Sequence, residues 1–269
     1  MSHRVRAALR LLWLTGELLA AAAKILLQNA GSRKHSALAM RTLWLHQSAR
    51  RLAAVFHLQP RMAGTLPPSG LLICNHLSYL DIVLLAALTP AVFVAKRDVK
   101  HWPVFGWFAR QGGTIFIDRQ RRSDVGRVNC EIASALDAGA LVILFPEGTS
   151  SGGDRVLPFK SSLLEPAAAS RRPISVGAIS YRVDDGDAAE EVCYWKDHTL
   201  VPHLFNLLGK GEIRATVRFS RVRGASSDRK ELARQLHLEI SALRTPKPPT
   251  PKPAPSPRLP RAVTVGHLD

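Results

Sequence analysis

The feature that most constrains the fold of this chain is a series of short, uninterrupted apolar runs with helical stretches between them. Five such runs lie at residues 71–74, 91–95, 114–117, 141–145 and 174–180. Strands that are apolar on both faces are typical of a sheet that helices cover on both sides. The pattern therefore predicts an α/β domain with a mixed, mostly parallel sheet flanked by helices.

Further segments extend the predicted domain on either side of the last apolar run. Residues 124–138 have the clearest helical spacing and are followed by Gly139, which is a usual helix stop. Residues 214–222 alternate basic and apolar side chains, as an edge strand does. A last helix is predicted up to about residue 244.

The first 60 residues predict an amphipathic helical hairpin, with helices over 5–28 and 35–57. In the first helix, the polar residues fall within an arc of roughly 40° at about 100° per residue. These residues are Arg6, Arg10, Glu17, Lys24 and Gln28. A narrow polar stripe on a mostly apolar helix favours a helix that lies in a membrane interface. The alternative is a helix buried in the protein's own core.

Charge and cysteine content narrow the possible partners. The formal net charge is +16, and residues 1–80 carry ten lysines and arginines but one acidic residue, Glu17. Such an excess is typical of proteins that bind nucleic acid, anionic membranes or anionic substrates. The three cysteines are scattered, which fits neither a metal site nor a disulfide set and favours a reducing compartment.

The C-terminal 25 residues have a different composition from the rest. Residues 245–260 contain eight prolines together with three basic side chains. A segment of this kind cannot build a core, so we expect a basic, proline-rich disordered tail. The chain is therefore divided into a membrane-interface hairpin at 1–60, a main domain at 61–244 and a tail at 245–269.

The segment 75–81, Asn-His-Leu-Ser-Tyr-Leu-Asp, lies between two apolar runs at 71–74 and 82–85. In a regular helix, His76 and Asp81 would point about 140° apart. They can meet only if the histidine lies in a turn and the aspartate lies in the first turn of a helix. A carboxylate on one imidazole nitrogen leaves the other nitrogen free to accept a proton. A capping aspartate and a structural histidine are the alternative reading.

Two later strand ends also carry polar clusters. The run 114–117 is followed by Asp118 and Arg119, and the run 141–145 by Pro-Glu-Gly-Thr-Ser-Ser-Gly-Gly. Groups at the carboxyl ends of strands in an α/β sheet converge on one crevice. One site could thus contain His76, Asp81, Arg119, Glu147 and Thr149. Taken singly, the basic run at 119–122 could be a solvated charge run, and the glycines at 148–153 a flexible turn.

In this order, four blocks resemble a known family. They are Asn-His-x-x-x-x-Asp, Gly-x-Ile-Phe-Ile-Asp-Arg, Phe-Pro-Glu-Gly-Thr and the strand that begins Pro-Ile-x-Val. The arrangement is similar to the glycerolipid acyltransferases, which include the bacterial 1-acylglycerol-3-phosphate acyltransferases. The resemblance covers roughly residues 70–182. It implies acyl transfer from a thioester to lysophosphatidic acid, which gives phosphatidic acid.

The resemblance also implies roles for individual residues. His76 would be the general base that deprotonates the acceptor hydroxyl, Asp81 would orient it, and no covalent acyl-enzyme would form. Arg119 would hold the acceptor phosphate, for which a guanidinium is well suited. Lys96 is a further candidate for that phosphate. The remaining predicted substrate-binding residues are Asn75, Glu147, Gly148, Thr149 and Ser150.

One residue departs from the pattern of many family members. An arginine often follows Glu-Gly-Thr and helps to grip the phosphate, whereas this chain has Ser150. Either Arg155 or Lys160 replaces it, or the acceptor head group is not a phosphate. The surrounding segment also resembles the lyso-ornithine lipid acyltransferases, whose acceptor has an amino-acid head group. That activity is the alternative.

The expected partners are a lysophospholipid, an anionic membrane surface, and acyl-CoA or acyl-acyl carrier protein as co-substrate, with no further cofactor and no metal. We expect the enzyme at the inner (cytoplasmic) membrane with its main domain facing the cytoplasm. A non-enzymatic basic protein that binds membrane or nucleic acid is a more distant alternative. It would not explain the His-x4-Asp pair. Aromatic residues make up 6% of the chain, and their positions form no pattern for stacking on nucleic-acid bases.

Overall fold

A computed structural model of the chain describes residues 2–30, 38–118, 122–169 and 172–244. Its strands form one sheet in the order β1-β7-β6-β2-β5-β3-β4. The strands are β1 (Leu58–Ala63), β2 (Gly70–Cys74), β3 (Val92–Lys96), β4 (Ile115–Ile117), β5 (Leu141–Leu144), β6 (Ile174–Arg182) and β7 (Ile213–Arg221). The α-helices in these ranges are α1 (His3–Ala30), α2 (Leu38–Val55), α3 (Leu80–Leu88), α4 (Phe105–Gln111), α5 (Arg122–Asp137), α6 (Glu165–Ala169), α7 (Ala188–Glu191), α8 (Leu200–Gly209) and α9 (Arg229–Arg244).

The predicted α/β class is confirmed, and so are the predicted strands. The five strands β6, β2, β5, β3 and β4 are mutually parallel, so their carboxyl ends lie at one edge of the sheet. The strand predicted at 214–222 is β7, but the prediction that it lies at the edge is wrong, because it pairs antiparallel with β6 on one side and parallel with β1 on the other. Outside it lies β1, which the sequence did not predict and which runs across the expected boundary at residue 60.

Both faces of the central sheet are covered, as continuous apolar strands require. In β2, Leu72 and Cys74 point to a core shared with α3, whereas Leu71 and Ile73 point to a core shared with α5 and α9. All four side chains are fully buried. This double burial fixes the position of the strand whose end carries His76, five residues before Asp81.

The two predicted N-terminal helices are present, and the polar stripe of α1 faces the protein. Arg10 donates a hydrogen bond of 2.6 Å to the carbonyl of Lys210, and Lys24 donates one of 2.6 Å to Gln47. Leucines on other sides of α1 point outwards; Leu12 is 72% exposed and Leu27 is 75% exposed. Among the described helices, the one spanning 3–29 has the length and apolar composition that would allow it to cross a membrane.

The last helix of the main domain is α9, which follows β7 and packs against β6 in the core that contains Leu71 and Ile73. Because β7 runs antiparallel to β6, α9 returns towards the edge where the parallel strands end. Its last residue, Arg244, donates a hydrogen bond to the carbonyl of Gly153 at that edge. The predicted disordered tail at 245–269 lies outside the described residues.

Candidate active site

The segment between β2 and α3, residues 75–79, places His76 and Asp81 in contact. His76 lies in the turn and Asp81 lies in the first turn of α3, which is the geometry the spacing demanded. The distance from His76 Nδ1 to Asp81 Oδ2 is 2.7 Å. Asp81 Oδ2 also accepts hydrogen bonds from the main-chain N–H groups of Leu77 (2.7 Å) and Ser78 (3.1 Å). The carboxylate therefore holds the turn as well as the imidazole.

Asp81 is fully buried, and each of its oxygens has a donor. Its second oxygen, Oδ1, accepts a hydrogen bond of 2.7 Å from the hydroxyl of Tyr181 on β6. A carboxylate surrounded by donors is an acceptor only, so the His76 Nδ1–H donates to it. The other ring nitrogen, Nε2, then lacks a proton and can accept one.

The ring of His76 is held by an aromatic neighbour. It stacks on Phe145 with ring centroids 4.4 Å apart and planes 26° apart. Its side chain is 22% exposed. Among the described residues, the His76 ring makes one hydrogen bond, from Nδ1 to Asp81. The imidazole is thus oriented on one side and accessible on another, as a general base must be.

Glu147, which follows β5, is joined to the main chain of the histidine turn. Its Oε1 accepts a hydrogen bond of 2.8 Å from the His76 N–H, and its Oε2 accepts one of 3.0 Å from the Leu157 N–H. Burial raises the pKa of Glu147 to about 7, although these two N–H groups act in the opposite direction. The structure therefore brings Glu147 to His76, but through the backbone of the histidine.

Asn75 is buried, and both ends of its amide are used by strand β6. Its Nδ2 donates to the Ile179 carbonyl at 3.1 Å, and its Oδ1 accepts from the Ile179 N–H at 2.7 Å. The amide thereby continues the pairing of β2 with β6 beyond Cys74. The predicted contact of Asn75 with substrate stays a prediction, and what the structure shows is a clamp between the turn and β6.

Ser150 is also engaged with the protein. Its hydroxyl donates to the carbonyl of Tyr194, and the N–H of Tyr194 donates to the Leu77 carbonyl at 2.8 Å. A Cβ at Gly152 would come within 2.5 Å of the Trp195 ring, so the glycine permits this close packing. The segment 193–195 therefore covers both the histidine turn and the loop after β5. The sequence did not predict this contact, and the adjacent Tyr-Trp pair at 194–195 was the available signal.

The other predicted binding residues lie on the loop after β5, at the end of β3 and outside the described residues. Gly148 adopts a left-handed conformation (φ 75°) in the loop after β5, and Thr149 next to it is exposed. Lys96 ends β3, which β5 separates from β2, and its ammonium pairs with Asp98. Arg119 lies outside the described residues, immediately after Asp118. The structure thus unites the first and third sequence blocks and leaves the role of the second as a prediction.

An apolar cavity of about 160 Å³ lies beside the histidine turn. Side chains of α2, α3 and α4 line much of it, including Leu45, Leu52, Ile82, Val83, Phe105 and Phe108. Tyr79, which belongs to the turn itself, forms part of the wall. The cavity therefore begins at the histidine turn, with Tyr79 and Ile82 on its wall, while His76 and Asp81 themselves do not line it. Its lining suits a hydrocarbon chain.

A second histidine near the turn, His203, has both ring nitrogens in hydrogen bonds with the protein. His203 Nδ1 lies 3.0 Å from the Tyr79 hydroxyl, and its Nε2 lies 3.1 Å from the Cys193 carbonyl. Burial lowers the pKa of His203 to about 4, so the ring is neutral near pH 7. Nε2–H therefore donates to the carbonyl and Nδ1 accepts from Tyr79, which makes His203 a support of the turn. In the part of the chain that the structure describes, no three His, Cys, Asp or Glu side chains are grouped to hold a metal.

Comparison with known proteins identifies the chain as an acyltransferase. The Acyltransferase family model matches residues 61–180. The chain is 39% identical over 210 residues to the lyso-ornithine lipid O-acyltransferase of Brucella abortus, covering 72% of this chain and 79% of that protein. It is 32% identical over 179 residues to the 1-acyl-sn-glycerol-3-phosphate acyltransferase of Neisseria gonorrhoeae, covering 65% and 70%. The chain belongs to this family and is an O-acyltransferase of lipid metabolism.

A solved structure has the same fold. The crystal structure of the 1-acyl-sn-glycerophosphate acyltransferase of Thermotoga maritima aligns with a TM-score of 0.56 at 18% identity. The alignment covers 89% of this chain and 98% of that one. It therefore includes the N-terminal helices as well as the sheet.

Proposed function

We propose that this enzyme transfers a fatty acyl group from an acyl thioester to the free hydroxyl of a lysolipid, with His76 as the general base. The observation that carries the proposal is the 2.7 Å contact between His76 Nδ1 and a fully buried Asp81. The contact leaves Nε2 unprotonated at the edge of the sheet, and Tyr79 of the same turn lines an apolar cavity. One turn thus carries a base and its orienting carboxylate and, through Tyr79, reaches a space for hydrocarbon.

The reaction needs one proton to move twice. His76 Nε2 takes the proton from the acceptor hydroxyl as the oxygen attacks the thioester carbonyl. The carbon–sulfur bond then breaks, and the thiolate leaves with the proton that the imidazolium returns. A hydroxyl activated by histidine is a weak nucleophile in bulk water, so holding it about 3 Å from the carbonyl in a dry site supplies much of the rate. Asp81 keeps the imidazole oriented through both transfers.

The apolar cavity is the proposed site for an acyl chain. It lies between α2, α3 and α4, so the chain would run along the helix that carries Asp81. The donor is acyl-CoA or acyl-acyl carrier protein, and no further cofactor is needed for this chemistry. Lys96, which ends β3, and Arg119, which follows β4 in the sequence, are the proposed ligands of an acceptor phosphate.

The first proposed acceptor is lysophosphatidic acid, which would give phosphatidic acid. Support comes from the guanidinium expected at position 119 and from the similarity to the Neisseria enzyme, whose name states that substrate class. On this proposal, Arg119→Ala weakens acceptor use chiefly when the acceptor carries a phosphate. An equal loss with a lyso-ornithine acceptor would contradict the role of Arg119.

The second proposed acceptor is lyso-ornithine lipid. The favouring observation is that position 150 holds a serine whose hydroxyl is bonded to the Tyr194 carbonyl, so this position offers no cation to a phosphate. The similarity to the Brucella enzyme is further support. The two acceptors differ in head group, and both present a free hydroxyl to His76.

The proposed location is the cytoplasmic face of the inner membrane. The outward leucines of α1 and its polar contacts with the protein support contact with lipid through this helix. The basic excess in residues 1–80 supports attraction to an anionic membrane surface. A cytoplasmic orientation is proposed because thioester donors are made in the cytoplasm.

The proposal is tested by acyl transfer in membranes that contain the full chain. A labelled thioester donor is offered with lysophosphatidic acid and, separately, with lyso-ornithine lipid. We expect one acceptor to be acylated and His76→Ala to reduce that activity by at least 100-fold. His101→Ala, a change of an exposed histidine, is the control and should leave the rate intact. Full activity of His76→Ala would refute the proposed base.

A further inference from the structure

The buried carboxylate of Asp81 has two oxygens with different partners. Oδ2 accepts from His76 and from the main chain of the turn, whereas Oδ1 accepts from the hydroxyl of Tyr181 at 2.7 Å. We infer that Tyr181 is a positioning residue that sets the proton affinity of the His76–Asp81 pair through this hydrogen bond. The inference rests on the proposed function, because it needs His76 to act as the base.

The hydroxyl of Tyr181 is a permanent donor. The residue is 7% exposed, and burial together with the nearby carboxylate raises the pKa of its phenol well above the usual value. It therefore keeps its proton at every pH at which the enzyme works. An ionised carboxylate cannot donate, so the hydrogen bond has one possible direction.

The location of Tyr181 is fixed by the strand that carries it. Asn75 clamps the main chain of Ile179, two residues earlier on β6. Side chains two residues apart in a strand share a face, so Tyr181 points to the same core as Ile179 and α3. The clamp and the phenol together hold the turn against β6 from both ends of the segment 75–81.

The electrostatic effect has a definite sign. A donor to Oδ1 withdraws negative charge from the carboxylate, which lowers the attraction of Asp81 for the protonated imidazole. Loss of that donor concentrates charge on Asp81 and makes the His76–Asp81 pair bind its proton more tightly. The base then becomes available only at higher pH, so the acidic limb of the rate profile should move upwards.

Other ionisable groups near the pair do not replace this effect. The thiols of Cys74 and Cys193 are buried, and burial raises the pKa of each, so both are neutral in the working range. Glu147 accepts from the His76 main chain, burial raises its pKa to about 7, and it is present unchanged in every variant compared below. A shift between variants at position 181 therefore reports the bond to Asp81.

The first test is Tyr181→Phe in the full chain, measured as kcat and KM across pH. We expect kcat to fall about tenfold near neutral pH, KM to stay the same, and the acidic limb to move to higher pH. Tyr194→Phe is the matched control, since its hydroxyl is not bonded to Asp81, and its acidic limb should not move. A residue that only stabilises the fold would lower the thermal midpoint and leave the limb in place.

A second variant provides the test if Tyr181→Phe fails to fold. Replacement of Tyr181 by 3,5-difluorotyrosine keeps the ring and hydroxyl but makes the phenol a stronger donor, so the acidic limb should move to lower pH. Opposite shifts in the two variants support the inference, and so does the fluorinated shift alone if Tyr181→Phe is unfolded. An unmoved limb in the fluorinated enzyme overturns the inference while His76→Ala remains inactive, whereas an active His76→Ala would instead refute the proposed function.

Discussion

Glu147→Gln tests how the fold accommodates a buried acid next to the proposed general base, His76. Burial raises the pKa of Glu147 from 4.5 to about 7. The folded protein thus keeps a proton that the unfolded chain releases between about pH 4.5 and 7, and its stability falls as pH rises through this window. A shift of this size corresponds to about 3 kcal/mol, fully lost above about pH 8.

Glutamine removes this dependence and carries a defect of its own. It has one acceptor oxygen for the two N–H groups, those of His76 and Leu157, that the carboxyl now satisfies. One unmet N–H costs about 1–3 kcal/mol at all pH values. We therefore expect Glu147→Gln to be less stable than the parent near pH 5 and about equal to it, or more stable, near pH 8.

The measurement is thermal unfolding at pH 5 to 8 in one detergent, followed by tryptophan fluorescence. The midpoint difference between variant and parent should change by about 6–12 °C across this range in favour of the variant. Glu131→Gln on α5 is the control, because that side chain is 43% exposed and pairs with Arg127. If the curves of parent and Glu147→Gln run parallel across the range, burial does not control the charge of Glu147 and the reasoning fails.

Three further predictions concern other parts of the chain. Asp81→Asn keeps an acceptor for the turn but removes the charge, worth about 4 kcal/mol at contact, so kcat should fall by about 10²–10³ in a steady-state assay. Asn75→Ala leaves the buried N–H and carbonyl of Ile179 without the amide and should lower the free energy of unfolding by about 2–5 kcal/mol in chemical denaturation. Leu12→Glu with Leu27→Glu should weaken sedimentation with anionic vesicles at least about tenfold, since both leucines point outwards.

Each change has a matched control elsewhere in the protein. Asp137→Asn alters an exposed carboxylate on α5, Asn206→Ala removes a weakly bonded amide on α8, and Leu238→Glu alters a leucine on α9 that is 68% exposed. Each control should behave as the parent does. Full kcat in Asp81→Asn, unchanged unfolding of Asn75→Ala, or equal sedimentation of the α1 and α9 variants would each contradict its prediction.

The parts of the fold that the sequence predicted are those whose burial dictates their composition. A strand covered on both faces must be apolar throughout, so β2, β5 and β6 are visible as uninterrupted runs. Strand β1 is not, because its residues from Gln59 to Ala63 are exposed at the edge of the sheet and need no apolar pattern. Its place beside β7 follows from tertiary pairing alone.

In the candidate site, too, some features could be predicted from the sequence and others depend on tertiary contacts. The spacing of His76 and Asp81 demanded a turn followed by a helix, and the structure has that geometry. The contact of Tyr181 with Asp81 joins residues 100 positions apart, and strand periodicity gives the face of Tyr181 but not its partner. The bond from Ser150 to the Tyr194 carbonyl was hidden for another reason, since the main chain accepts it and no side-chain pattern records it.

The clamp between Asn75 and Ile179 makes the chemistry of this enzyme depend on the length of a strand. Insertion or deletion of one residue between 179 and 181 would turn Tyr181 to the opposite face and present Ser180 or Arg182 to the carboxylate instead. A serine would be too short to reach, and an arginine would place a full positive charge beside the base. The number of residues between Ile179 and Tyr181 on β6 is therefore fixed by the chemistry as well as by the packing of the strand.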